Sequence, residues 1–178
     1  MKTIKFSLIA FLFISFVACS TDDDSPNVDT SMITGVWNIE EFNYTGETSG
    51  NFEGMDINAS FEGVAENIDA TLSFNEDNTF IMAGSYDVRL SSEGITEVVP
   101  VNNASSSGTW KIEGDYIITS GAVGQVQGQG VAGPQEGRMR ISEVTETRMV
   151  LIIDQESTTS QGGMDFTMKM DGIYVLTK

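Results

Sequence analysis

The stretch TLSFNEDNTFIM, residues 71–82, decides the fold class of this chain. Polar and apolar residues alternate in TLSF and again in TFIM, and this alternation places successive side chains on opposite faces of an extended strand. The intervening residues, NEDN, are turn formers. The stretch therefore predicts a β-hairpin with one buried face and one solvated face.

Similar runs recur along the chain from residue 33 onward, separated by clusters of Gly, Asn, Asp and Ser. They are VWNIEEFNY, YDVRL, ITEVVPV, GTWKI, YIIT, RMRI, MVLIID, MDFTMKM and IYVL. The nearest candidate for a helix, residues 58–67, is weakened by Gly63 and by its strand formers. We expect an all-β domain of about eight to ten antiparallel strands. Because open edges would pair with other chains, the strands should close into a barrel or a two-sheet sandwich, and we favour an up-and-down β-barrel.

The first 18 residues have the organisation of a secretory signal. Lys2 and Lys5 give a basic start, and an uncharged apolar run follows at residues 6–17. This run is shorter than the roughly 20 residues that a membrane-spanning helix requires. Cys19, the only cysteine, follows in FVAC, which resembles the lipobox of bacterial lipoproteins. The resemblance implies cleavage before Cys19 and a diacylglycerol on its sulfur; an ordinary signal peptide with a chance cysteine is the alternative.

Three carboxylates follow in STDDDSP. Asp22, Asp23 and Asp24 resemble the acidic export signal that surface lipoproteins of the Bacteroidota carry just behind their lipidated cysteine. The alternative is a solvated charge run at the head of a flexible linker. Either interpretation leaves a polar segment with too little apolar material to fold.

The chain thus divides into a signal peptide, a lipidated acidic tether and one barrel domain, at residues 1–18, 19–32 and 33–178. Removal of the signal takes away Lys2 and Lys5 and changes the formal net charge from −17 to −19. So acidic a chain lacks the phosphate-neutralising patch that nucleic-acid binding requires. No nucleic-acid partner is expected.

Four blocks, in order, resemble the lipocalin-like lipoproteins of the Bacteroidota. They are ITGVWNIE (33–40), LSFNEDNTF (72–80), SGTWKIEGDYIIT (107–119) and TRMVL (147–151). In the wider lipocalin superfamily, the tryptophan of a Gly-x-Trp motif closes one end of the barrel, and an arginine from a late strand packs over its ring. Gly35 and Trp37 match this motif. Arg148 and Arg140 are candidates for the arginine, whereas the last strand pattern, GIYVLTK, contains none.

Several further residues are candidates to close the barrel or to line a ligand site. Beside Gly35, Trp37 and Arg148 they are Phe74, Trp110, Phe166 and Met168. Methionine thioethers suit adaptable apolar pockets. However, Phe166, Met168 and Met170 alternate as the inward face of any strand would, so core packing is the default interpretation.

The resemblance implies an outer-membrane lipoprotein, anchored through Cys19 and facing the cell exterior, whose barrel binds or carries a small apolar or amphipathic ligand. Small barrels can also be filled entirely by side chains. The second hypothesis is therefore an interaction module without a cavity that binds a protein or a glycan through rim loops, such as residues 46–54 and 121–137. A loop as long as residues 121–137 is either functional or disordered.

No residue set in the sequence specifies a reaction. The chain contains no histidine, and lipid attachment would occupy its only thiol, so zinc, copper and iron lack their usual ligands. The stretch GQGVAG, residues 128–133, has the spacing of a dinucleotide fingerprint, but Pro134 follows where a helix is needed. Neither STDDDSP nor NEDN has the spaced ligands of a calcium loop. We expect no enzymatic activity, no cofactor and no metal.

Overall fold

The computed structural model describes residues 28–52, 55–121, 123, 136–161 and 164–178. Within these ranges one short helix, α1 (Thr30–Ile33), precedes eight strands. The strands are β1 (Gly35–Phe52), β2 (Met55–Phe74), β3 (Thr79–Ser92), β4 (Ile95–Glu113), β5 (Tyr116–Thr119), β6 (Gly137–Val144), β7 (Arg148–Gln161) and β8 (Met164–Thr177). No helix in the described part of the chain is long and apolar enough to cross a membrane.

The strands form a closed antiparallel barrel. Each strand pairs with the one that follows it, and β8 pairs with β1 to complete the ring. The hairpin predicted at residues 71–82 joins β2 to β3, and its turn is held by Asp77, whose Oδ1 accepts a hydrogen bond from Thr79 N at 3.0 Å. Every described strand finds both neighbours within residues 35–177, so sheet formation does not require residues 1–27. The predicted all-β, up-and-down barrel is confirmed.

Several strands are longer than their sequence patterns predicted, because bulges carry the ladder across irregular residues. The runs ITEVVPV and GTWKI form one strand, β4, which passes through Asn103 with a φ of 53° opposite a register shift in β3. Likewise β2 continues through Asn67, whose φ is 51°. Asparagine adopts this left-handed conformation more readily than most residues. Residues 55–70 thereby extend a strand that alternation alone indicated only at residues 71–74.

Strand pairing closes the ring on every side at one end, whereas at the other end β4 and β7 are not paired with each other among the described residues. The short strand β5 pairs with residues 110–113 of β4 and 137–140 of β6, and β6 pairs with residues 149–153 of β7. Residues 95–108 of β4 and 154–161 of β7 extend beyond these pairings, and on that side they meet no other described strand. We call the closed end the base and the other end the upper half.

The apolar core lies mainly in the base. Its largest fully buried apolar side chains are Trp37, Tyr174, Phe74, Phe80, Ile33, Leu72, Met82, Ile117, Met149, Leu151 and Leu176. Full burial of such a side chain stabilises the folded state by about 1.5–3 kcal/mol relative to exposure. The base is therefore the part of the barrel that packing holds rigid.

One predicted rim loop is largely strand. Residues 46–52 continue β1, because each residue from Gly46 to Phe52 pairs with a residue of β2. The prediction of a loop was wrong there. Gly and polar residues at this end of β1 can belong to a strand because large side chains of the neighbouring strands cover them. Most of the other predicted loop, residues 121–137, lies outside the described residues.

The predictions for the N-terminal segment fall mostly outside the described ranges. This holds for the predicted lipid-attachment site Cys19 and for the predicted export signal Asp22, Asp23 and Asp24. At the end of the predicted tether, Val28 packs against the core and Asp29 caps α1 by accepting a hydrogen bond from Ser31 N at 2.9 Å. Val28 and Asp29, which belong to the predicted tether, thus contact the folded domain.

Candidate functional site

Trp37 lies in the base and is fully buried. Its indole Nε1 donates a hydrogen bond to Ile33 O at 2.7 Å, which ties α1 to β1. The ammonium group of Lys178 lies 4.3 Å from the centroid of the Trp37 ring and donates a hydrogen bond to Thr34 O at 3.0 Å. Gly35, with a φ of 127°, makes room for this lysine, because a Cβ there would lie 3.2 Å from Lys178 Cε. The Gly-x-Trp motif therefore sits at the closed end.

The cation over Trp37 is Lys178, and neither candidate arginine takes that place. The guanidinium group of Arg148 pairs with the Glu143 carboxylate, and the Arg140 side chain is exposed. Arg140 directly follows a buried methionine in its strand, and Arg148 directly precedes one. Because successive side chains of a strand lie on opposite faces, both arginine side chains point outward. Lys178 follows directly after β8, so its side chain can lie over the Trp37 ring at the base.

Two other predicted residues, Phe74 and Trp110, pack against each other in the base. Their ring centroids are 5.2 Å apart at an interplanar angle of 66°, an edge-to-face geometry that aromatic rings favour. Trp110 Nε1 donates a hydrogen bond to Asn75 O at 3.1 Å. Because Phe74 is 1% and Trp110 4% exposed, both rings belong to the packed base rather than to a surface that a ligand reaches.

Four aromatic side chains gather where the base meets the upper half, and we call them the aromatic cluster: Phe42, Tyr44, Tyr86 and Tyr174. Phe42 stacks on Tyr174 with ring centroids 4.3 Å apart and meets Tyr86 edge to face at 6.4 Å. Tyr44 lies beside Phe42 at 5.3 Å. The buried Tyr174 hydroxyl donates a hydrogen bond to Val123 O at 3.3 Å. The cluster thus joins β1, β3, β8 and the beginning of the connection that follows β5.

Burial keeps the phenol groups of the cluster protonated. Burial raises the pKa of Tyr44, and it raises the pKa of Tyr86 with a further contribution from the charge that Tyr44 would carry. Burial raises the pKa of Tyr174 well above its usual value of 10.0, and Tyr86 and Tyr44 add to the effect. Near neutral pH the three hydroxyls are therefore uncharged groups that can donate or accept hydrogen bonds.

Inward-facing apolar side chains continue above the cluster. Phe61, Phe166, Met168 and Met170 are half-buried, and we call them the upper inner face. Met168 lies opposite Thr48 in the pairing of β8 with β1. Two of the predicted lining residues, Phe166 and Met168, therefore occupy the open upper half, whereas Trp37, Phe74 and Trp110 lie in the base.

Glycines on neighbouring strands make room for these rings. A Cβ on Gly63 would lie 2.2 Å from Tyr44 Cζ, and one on Gly46 would lie 2.2 Å from Phe61 Cζ. Such distances are far shorter than any contact between non-bonded carbon atoms, so each ring covers the backbone of the adjacent strand at that glycine. The pairs are Tyr44 with Gly63, Phe61 with Gly46, and Phe166 with Gly50.

Most charged side chains of the described strands point away from the interior of the barrel. Four of the described cations form ion pairs on the outer surface, such as Arg89 with Glu66 at 2.5 Å; Arg138 lies over an outer ring, Lys178 lies at the base, and Arg140 is exposed. Glu97 shares the inner side with Leu90, its partner across β3 and β4, and is exposed at the strand edge. Apart from that carboxylate, the inward positions of the described strands above the base hold apolar and neutral polar side chains.

A groove of about 480 Å³ lies on the outer surface of β8, β1, β2 and β3. Glu47, Glu62, Glu93 and Asp171 line it together with Lys169. Despite these carboxylates, the described residues contain no group of three or more acidic, histidine or cysteine side chains placed to hold a metal ion. The groove is thus an acidic, solvated depression.

Sequence reasoning missed the most characteristic part of this site. Phe42, Tyr44 and Tyr86 lie in runs that predicted strands, but alternation assigns a side chain only to a face. The cluster depends on pairing across β1, β2, β3 and β8, and no local pattern specifies that pairing. The signal that could have been used is the placement of glycines opposite aromatic residues in neighbouring strands.

Comparison with known proteins identifies a family. A family model described as a lipocalin-like domain matches residues 33–151. The match begins at the last residue of α1 and reaches into β7, so it includes most of the base, the Gly-x-Trp motif and three of the four residues of the aromatic cluster. No curated protein matches the chain.

Proposed function

Because this chain belongs to the lipocalin-like domain family, we propose that its barrel binds a small apolar or amphipathic molecule. The ligand lies in the upper half, against the aromatic cluster and the upper inner face. The observation that carries the proposal is the half-buried state of Phe61, Phe166 and Met168, which face inward but do not join the buried core. Covering such surface is favourable by about 25 cal/mol per Å² of apolar area.

The division of the barrel into two parts supports the proposed location of the ligand. The base is filled by its own side chains, so it supplies rigidity. The upper half lacks strand pairing on one side among the described residues, and its inward side chains remain reachable. A rigid base beneath an accessible apolar surface is the usual arrangement of a preformed ligand site.

We propose a carrier or binding protein rather than an enzyme. The chain contains no histidine, and three of its four described arginines and two of its three described lysines are engaged in ion pairs or in a contact with an aromatic ring on the outer surface. The inner side therefore offers phenols, hydroxyls and apolar groups, which suit recognition better than catalysis. The proposal includes no cofactor.

The proposed location is the outer membrane of a member of the Bacteroidota. A lipid on Cys19 holds the chain there after removal of residues 1–18, and residues 19–32 form the tether. Asp22, Asp23 and Asp24 direct the protein to the exterior face. The support for this part is the sequence alone, namely the short apolar run, FVAC and the three carboxylates.

A second candidate function rests on the outer groove. Its volume of about 480 Å³ and its position beside the turn between β3 and β4 suit an exposed loop or sugar of a partner. In this case the barrel is a scaffold, and a protein or a glycan binds outside it. Binding would then depend on Glu47 and Glu62 rather than on the inner side chains.

Native mass spectrometry distinguishes the two functions. The chain from Ser20 onward, which retains every strand, is incubated with lipid and medium extracts of its host. We expect a stoichiometric added mass that is lost in Met168→Glu, an inward change, and kept in Thr167→Glu, the matched outward change on the same strand. Bare protein in every extract would contradict the carrier function. An added mass lost in Glu62→Gln but kept in Met168→Glu would favour the groove.

A further inference from the structure

Tyr44 presents a polar group to which no described residue is hydrogen-bonded. Its ring packs beside Phe42 and meets Phe61 edge to face at 6.2 Å. The Tyr44 hydroxyl forms no hydrogen bond with any described residue, whereas the Tyr174 hydroxyl donates to Val123 O. Tyr44 is half-buried, so its hydroxyl lies at the border between the cluster and the accessible upper half.

The position of this hydroxyl is fixed by packing. The ring covers Gly63 so closely that a Cβ there would lie 2.5 Å from the Tyr44 hydroxyl oxygen. Phe42 on one side and Phe61 on the other restrict its rotation. A donor held in place before a ligand arrives loses little conformational entropy on binding, which favours its use in recognition.

Among the described residues, the inner side offers an anionic ligand no cation and a cationic ligand only one carboxylate, at its edge. Lys and Arg side chains of the described strands point outward or lie at the base, and the one carboxylate on the inner side, Glu97, is exposed at the edge of β4. A buried charge without a partner is unfavourable. The net charge of −17 adds a long-range repulsion for anions.

On the basis of the proposed function, we infer that the ligand is an uncharged molecule with a flat ring system and a carbonyl or similar hydrogen-bond acceptor. The Tyr44 hydroxyl donates a hydrogen bond to this acceptor. Aromatic walls favour offset or edge contacts with a second ring system. Since burial raises the pKa of Tyr44, the phenol keeps the proton that it donates well into the alkaline range. The ring of the ligand contacts Phe42, Phe61 and Met168, and its acceptor points toward the base.

The charge preference is tested with two fluorescent probes of the same skeleton, N-phenyl-1-naphthylamine and its 8-sulfonate. We expect the chain from Ser20 onward to bind the neutral probe at least tenfold more tightly at moderate salt. Equal affinity for the sulfonate would overturn the inference that the ligand is uncharged. Tighter binding of a trimethylammonium derivative of the same skeleton than of the neutral probe would overturn it as well.

The role of Tyr44 is tested with 6-propionyl-2-dimethylaminonaphthalene, a neutral probe whose emission shifts to the red when its carbonyl accepts a hydrogen bond. Tyr44→Phe keeps the ring and removes the donor. We expect the Kd for this probe to rise about three- to tenfold and its bound emission to shift to the blue. The Kd of N-phenyl-1-naphthylamine, which has no carbonyl, should change less than twofold and shows that the variant is folded.

The outcomes separate this inference from the function on which it rests. If the wild-type chain binds neither neutral probe, ligand binding in the barrel fails together with the inference. If it binds both, and Tyr44→Phe binds the carbonyl probe with unchanged Kd and emission, only the role of Tyr44 is overturned. Tyr116→Phe, which alters a tyrosine on the outer surface under Arg138, serves as the matched control and should leave both probes unaffected.

Discussion

The ammonium group of Lys178 lies 4.3 Å from the centroid of the Trp37 ring. The contact joins the end of β8 to the beginning of β1, the two strands whose pairing closes the barrel. The resemblance in sequence implied an arginine over this ring, whereas the structure places there a lysine that follows β8. A lysine is a flexible point charge and needs the space that Gly35 leaves.

Replacement of Lys178 by Met should destabilise the barrel by about 0.5–1 kcal/mol, the usual size of an exposed cation–π contact. Lys178→Arg keeps the cation and should remain within a few tenths of the wild-type free energy of unfolding. Urea unfolding followed by tryptophan fluorescence measures both. Lys169→Met, at an exposed lysine elsewhere on β8, is the control, and an equal loss in both Met variants would contradict a specific role for Lys178.

Gly63→Ala should destabilise the protein by about 1–3 kcal/mol, because the new methyl group overlaps the Tyr44 ring. A double-mutant cycle with Tyr44 tests whether overlap with its ring causes this loss of stability. In a Tyr44→Ala background the space is empty, so the same glycine change should cost much less. Equal costs in the two backgrounds, measured by urea unfolding, would show that backbone conformation rather than the ring sets the requirement for glycine.

Stability should fall as the pH rises above about 10. The folded-state pKa of Tyr174 is raised above the usual 10.0, so the folded chain retains protons that the unfolded chain releases. The buried tyrosine contributes its full stabilisation while the pH is below the pKa that it has in the unfolded chain. Above that pKa, the free energy of unfolding falls by up to about 1.4 kcal/mol per pH unit for each such tyrosine. Urea unfolding from pH 8 to 11 measures this slope. Tyr174→Phe should make it shallower, and an unchanged slope would contradict the prediction.

Cys19→Ala should release the protein from the membrane fraction and abolish labelling by a radioactive fatty acid. The reason is that the thiol is the proposed site of the diacylglycerol. Ser20→Ala, one residue further, should leave both properties unchanged. Continued labelling of the Cys19→Ala protein would exclude lipid attachment at this residue.

Replacement of Asp22, Asp23 and Asp24 by Ala should preserve the lipid label but protect the protein from protease added to intact cells. Replacement of the same three residues by Glu keeps the charge and tests whether charge or the aspartate side chain is recognised. If the Ala protein remains as accessible to protease as wild type, the export hypothesis is wrong and the carboxylates are only part of a solvated linker.

Local pattern was sufficient for the class of fold. Alternation at residues 71–82 predicted the β2–β3 hairpin because a strand with one buried face must alternate, whereas the place of Trp37 at the closed end was implied by the resemblance of Gly35 and Trp37 to a family motif. The same pattern underestimated strand length. It read polar stretches around Asn67 and Asn103 as interruptions, whereas bulges carry the ladder through them.

The sequence by itself determined the all-β class and the acidic charge, since each depends on composition or on neighbouring residues, and it is the whole support for the proposed N-terminal signal. Only the tertiary structure decided which cation covers Trp37 and which residues form the upper inner face. It also brought Tyr44, Tyr86 and Tyr174 together from three strands. These relationships depend on strand register and on ring closure, in which residues more than a hundred positions apart become neighbours, and no local pattern encodes that pairing.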